Sequence, residues 1–149
     1  MRLPTEVEIN PIQGDLDGRC AVKNFLGKDL GQAEQMFREA ALVYQEDLMF
    51  MGPAAFRFYV QAAISYIKSK AAAGDSDMIN CFAGILEFRL EFEADELVSV
   101  AEMLASVCGF IVHDYDSFDL IPEVYGDLRP RYESLQKRFL EMARSDGSV

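Results

Sequence analysis

The densest run of chemistry-bearing side chains is His113-Asp114-Tyr115-Asp116-Ser117-Phe118-Asp119, which joins the only histidine to three carboxylates and two aromatic rings. An Asp-x-Asp opening is how a calcium loop supplies its first ligands. The remainder of that pattern is missing. Counted from Asp114, the sixth position, where the turn needs Gly, is Asp119, and the twelfth, where the ion needs a bidentate Glu, is Tyr125. Asp15-Leu16-Asp17-Gly18 fails the same comparison, because Arg19 stands at the fifth position and Cys20 at the sixth.

A single histidine excludes a two-His zinc site, a di-iron pair of Glu-x-x-His motifs and an HExxH hydrolase. Cys108 precedes His113 by five positions on a helical pattern, which puts the two side chains on different faces and out of reach as a nucleophile–base pair. His113 then reads as a helix-end residue favoured by the helix dipole. Neither GxxxxGK[ST] nor GxGxxG occurs, so no phosphate cradle is encoded. Glu46 and Asp47 are neighbours on a helix and point about 100° apart, so they do not converge on one atom. They read as a solvated edge or as partners of Arg57. No catalytic residue, metal or cofactor is expected, and the chain is read as non-enzymatic.

Charge narrows the partners. With 14 Lys and Arg against 25 Asp and Glu, the net charge is −11 and the pI about 4.4. Such a chain repels phosphate backbones and anionic membrane surfaces, so neither nucleic acid nor a membrane is expected, and the favoured partner is a basic protein. The surface offered to it is the acidic loop, with Asp114, Asp116, Asp119 and Glu123 as charges and Tyr115 and Phe118 as apolar anchors; Glu46 and Asp47 form a second candidate. Oligomeric state is not encoded. Cysteine is odd in number, at Cys20, Cys81 and Cys108, which argues against a disulfide framework. No apolar run follows Arg2, and no stretch is expected to approach the ~20 apolar residues that span a bilayer, so a cytoplasmic protein is expected.

Periodicity supplies the elements that must hold these residues. Leu30, Ala33, Phe37, Ala40, Tyr44, Leu48 and Met51 draw one helical stripe behind an N-capping Asp29, closed by Gly52-Pro53. A nearly uncharged helix follows from Pro53 to about Ala73. Another begins after Gly74-Asp75-Ser76-Asp77, and a fourth runs from Ala94 through Leu97, Ala101, Leu104, Cys108 and Ile111. Residues 114–126 read as a longer loop with one turn near Ile121–Tyr125. A last helix carries Leu128, Tyr132, Leu135, Phe139 and Met142 on a charged background. The expected fold is all-α: a single-domain bundle of about five helices over 29–144, with a two-repeat helical stack as the alternative architecture. An irregular N-terminal arm covers 1–28, with a possible short strand at Val7-Glu8-Ile9, and a frayed tail covers 145–149.

Phe25-Leu26-Gly27-Lys28, Ala33-Glu34, Phe37-Arg38 and Tyr44-Gln45-Glu46-Asp47-Leu48-Met49-Phe50-Met51-Gly52-Pro53 together resemble a family of small, acidic, helical bacterial proteins whose chemistry is uncharacterised. The resemblance covers about a third of the chain. By analogy with such small acidic proteins it implies an immunity-type or inhibitor role that neutralises a basic toxin or enzyme. Two other readings stand beside it. One is a small-molecule-binding or enzymatic domain with a pocket between the second and fourth helices; the other is a structural or scaffolding protein.

Overall fold

The computed structural model describes residues 2–12 and 14–147, the last two by backbone alone. The chain is all-α: 81% of the described residues are helical, and no strand occurs among them. That is well above the roughly 30–35% of a typical globular domain. Part of it lies in the N-terminal stretch read as irregular. Packing gathers into two compact units, Met1–Tyr66 and Ile67–Val149.

In the first unit, the stretch expected to be irregular carries α1 (Glu6–Ile9) and α2 (Leu16–Phe25). Val7-Glu8-Ile9 is therefore helix rather than strand. The deciding signal is Thr5-x-x-Glu8, a capping box: Glu8 N donates to Thr5 Oγ1 at 3.2 Å and Thr5 N donates to Glu8 Oε1 at 2.9 Å. Arg2 donates to both Glu8 oxygens at 2.9 Å and holds that carboxyl down near 2. Along α2, Gly18, Ala21 and Phe25 turn inward at helical spacing. Tyr59 Oη lies 2.7 Å from the carbonyl of Phe25 and 2.8 Å from that of Lys28, so its proton serves acceptors that the end of α2 leaves open.

α3 (Leu30–Phe50) opens on the expected cap, with Gln32 N donating to Asp29 Oδ1 at 2.8 Å and Asp29 N to Gln32 Oε1 at 2.9 Å. Its backbone leaves helical geometry at Ala40 (φ −157°, ψ 61°). The single stripe read from the sequence therefore does not continue unbroken. Beyond Ala40 the buried residues are Ala41, Asp47 and Leu48, while Tyr44 is half-buried. The ring of Phe25 gathers those of Phe37, Tyr44 and Tyr59 at 6.1, 6.1 and 4.8 Å. α4 (Pro53–Ile67) ends earlier than expected, and the 3-10 turn after it, Lys70–Ala72, already belongs to the second unit.

In the second unit, α5 (Ser76–Glu93) starts on Asp75, whose Oδ1 accepts from Met78 N at 3.2 Å. A 3-10 stretch, Ala94–Val100, replaces the start of the expected fourth helix, and α6 (Ala101–His113) continues from it. After a 3-10 turn at Tyr115–Phe118 come the short α7 (Pro122–Tyr125) and α8 (Arg129–Gly147), which packs mainly on α6. Tyr132, wholly buried on α8, donates to the carbonyl of Ile79 in α5. Leu104, Cys108, Leu128, Leu135 and Phe139 complete this core. The tail read as frayed is helical to Gly147; Ser148 and Val149 lie outside the described residues.

The helical run Ser76–His113 contains an 18-residue window of mean hydropathy 1.5, long and apolar enough to cross a membrane. That overturns the expectation that no stretch approaches spanning length. Length and composition alone carry little weight here, because a helix that supplies one unit's core has the same composition: α6 buries Ala101, Leu104, Ala105, Val107, Cys108 and Ile111.

Two glycines give opposite tests. Gly52 N donates to the Ile9 carbonyl at 2.9 Å, and a Cβ on Gly52 would stand 2.3 Å from the Glu8 carbonyl oxygen and 3.0 Å from the Pro11 ring. Here Gly serves close approach, not a left-handed turn. Gly84, within α5, has nothing within 4 Å of such an atom. Chemical denaturation should show Gly52→Ala destabilising by about 1–3 kcal/mol, through overpacking against backbone. Gly84→Ala should stabilise by about 0.5–1 kcal/mol, through helix propensity.

Candidate functional site

The connection from α6 to α8 is the acidic segment singled out in the sequence, and it is held on both sides. Phe118 is buried against Phe110, ring centroids 6.5 Å apart, and Leu120 is buried after it. Phe118, only 1% exposed within its 3-10 turn, is therefore a core residue and not a surface anchor. Gly74 N donates to the Ser117 carbonyl at 2.9 Å, and Ser117 Oγ donates to the Asp114 carbonyl at 2.7 Å. Tyr115 is half-buried. Leu128 N donates to its hydroxyl at 2.8 Å, and the Arg129 guanidinium lies 5.0 Å from its ring centroid. Tyr125 donates to Asp77 and lies 3.1 Å from Ser76 Oγ, which ties α7 to the start of α5; the Asp77 carboxylate raises the Tyr125 pKa.

What these pins leave outside is Asp116, Asp119, Ile121, Glu123 and Val124. Ile121 and Val124 are 53% and 68% exposed, and neither figured among the anchors read from the sequence. A shallow depression of about 570 Å³ runs along Tyr115, Asp116, Asp119, Leu120, Ile121 and Pro122. Its surface is an apolar strip edged with carboxylates. Asp119 closes the 3-10 turn in left-handed backbone (φ 55°, ψ 44°). Asp114 sits apart from this strip: His113 Nδ1 donates to its Oδ1 across 2.6 Å.

Among the described residues, no group of three or more His, Cys, Asp or Glu side chains is arranged to hold a metal ion, so Asp114, Asp116 and Asp119 do not converge as ligands. The buried Cys108 thiol is pushed up to about 12 by desolvation, the reverse of what a nucleophile needs.

The second sequence candidate divides. Glu46 is exposed, whereas Asp47 is buried and accepts a 2.6 Å hydrogen bond from Asn24 Nδ2 in α2. Asp47 is thus unavailable to a partner. It belongs to the first unit and the acidic loop to the second.

Burial raises the Asp47 pKa, the Asn24 bond opposes that, and Glu46 and Asp17 add to it. Because folding raises this pKa, the stability Asp47 contributes is full below its unfolded value, about 3.9, and is lost as pH rises through the folded value. Asp47→Asn keeps an oxygen for Asn24 and never ionises. Its thermal midpoint relative to the wild type should therefore climb between about pH 3 and pH 7. A flat difference across that range would show that the carboxylate is solvated. In the loop, Tyr125→Phe should cost about 0.5–1.5 kcal/mol and speed amide exchange at residues 120–127 more than elsewhere.

Compared with protein-family models, with curated proteins and with solved structures, the chain matches none.

Proposed function

We propose that this chain is a non-enzymatic, cytoplasmic binding module that docks a basic protein partner, of the immunity or inhibitor type, through the acidic strip between α6 and α8. The observation that carries this is the exposure of Ile121 and Val124 among Asp116, Asp119 and Glu123 on a segment fixed by Phe118, Leu120 and Tyr125. Solvated apolar side chains on a pinned backbone lose little entropy on docking. The surrounding carboxylates steer a basic partner at long range and set its register, while the apolar pair supplies burial at the centre. The excess of acidic residues over the whole chain acts in the same direction.

The test is affinity capture at graded ionic strength followed by mass spectrometry, comparing wild type with Asp116→Lys/Glu123→Lys and with Ile121→Ala/Val124→Ala. Asp119 is left unchanged, because a Lys in left-handed backbone would add strain of its own. A basic protein held by the wild type should associate more slowly with the charge reversal, most of all at low salt. The apolar pair should dissociate faster by about tenfold or more. Thermal midpoints should stay almost unchanged. Equal capture by all three forms would overturn the reading.

A further inference from the structure

A second surface in the same unit has the opposite electrostatic character. Between α5 and α8 runs a groove of about 360 Å³, with Leu90, Leu135 and Pro130 as its apolar lining. Arg131, Ser134 and Arg138 stand at i, i+3 and i+7 on α8, so all three face the groove along about 10 Å of helix. Arg131 is already engaged, donating to Glu87 from Nε at 3.0 Å and from Nη2 at 2.5 Å. Arg138 and Ser134 have no hydrogen-bond or ion-pair partner among the described residues. Among the groove's own charged lining residues, Glu87, Arg131 and Arg138, the balance is one positive charge, with Glu141 beside Arg138 in the adjoining depression.

We propose that this groove binds the carboxylate of an amphipathic monoacid. The Arg138 guanidinium takes the carboxylate through a forked pair of N–H donors, the Ser134 hydroxyl one turn away adds a third donor, and the hydrocarbon part lies on Leu90, Leu135 and Pro130. The groove fixes the charge of its ligand. Glu87 neutralises Arg131, so one guanidinium remains, which a monoanion balances and a phosphate dianion overshoots beside the Glu87 carboxylate. The apolar lining selects against small inorganic anions. Repulsion from the remaining acidic surface is screened beyond about 8 Å at physiological ionic strength. This site is separate from the acidic strip and does not rest on it.

The experiment is an amide-resolved NMR titration of the full chain with hexanoate, hexanol, hexyl phosphate, and a short peptide ending in Leu with a free or an amidated terminus. Hexanoate should give saturable shifts centred on Leu90, Ser134 and Leu135. Hexanol should bind at least about tenfold more weakly, since it offers no charge to the guanidinium. Arg138→Gln should abolish the hexanoate shifts, and Arg144→Gln, on the exposed last turns of α8, should leave them intact. Tighter binding of the free-terminus peptide than of hexanoate would assign a polypeptide terminus as the source, and the reverse order a small organic acid. Equal shifts with hexanol, survival of hexanoate binding in Arg138→Gln, or a preference for hexyl phosphate would each overturn the proposal.

Discussion

Burial of Phe118 is the constraint on which the exposed face of the second unit depends. The segment leaving α6 must reach α8 with little regular structure of its own, and its largest apolar deposit into the core is the ring that meets Phe110, followed by Leu120. A compact turn that commits one side chain inward must send its neighbours outward. Ser117 and Asp119 flank Phe118, with Asp116 one residue further out, and all three are exposed. Ile121 caps the short helix that follows Leu120 and Val124 lies within it, where the face toward solvent is set by the phase of the turn and not by hydrophobicity. The acidic strip is thus a by-product of core packing before it is a surface.

The distribution of charge follows a second logic. Most carboxylates stay in water, where mutual repulsion is weak. Among the described residues, two charged side chains do not. Arg89 is buried on α5 and donates to Glu93 at 2.6 Å, one turn on, while burial pulls its pKa down. Asp47 is buried on α3 with only a neutral amide on its carboxylate. A buried charge with an opposite partner recovers part of its desolvation, whereas one facing an amide recovers less. The first arrangement fastens a turn, and the second leaves a residue whose protonation and packing are linked.

Much of this was legible in the residues. The helical stripes and the cap at Asp29 follow from helical spacing and N-terminal chemistry, and of the stripe positions Phe37, Leu48, Leu97, Leu104, Cys108, Ile111, Tyr132, Leu135 and Phe139 are buried. Tyr44 is not, because the break at Ala40 interrupts the stripe, and no Pro or Gly at that point announces it. The arm misled by its prolines and glycines, which drew weight away from the Thr5–Glu8 box. Within the acidic loop, charge was readable and orientation was not. An aromatic in a polar loop is as suited to a core as to an interface, and only the closing turn decides that Tyr115 stays half-buried while Phe118 goes in. The α5–α8 groove left no local signature, since Arg131 and Arg138 acquire different roles only when Glu87, far away in sequence, reaches one of them.

The left-handed backbone at Asp119 bears on how such a surface drifts over generations. Asp, Asn and Gly are the residues that tolerate this geometry well, and only one of them carries charge. Replacements that the fold accepts at 119 therefore extinguish a negative charge and do not invert it. Positions 116 and 123, free of that restraint, are open to either sign. A lineage changing partners would rewrite the strip at its edges first, with 119 as the slow-moving letter between them.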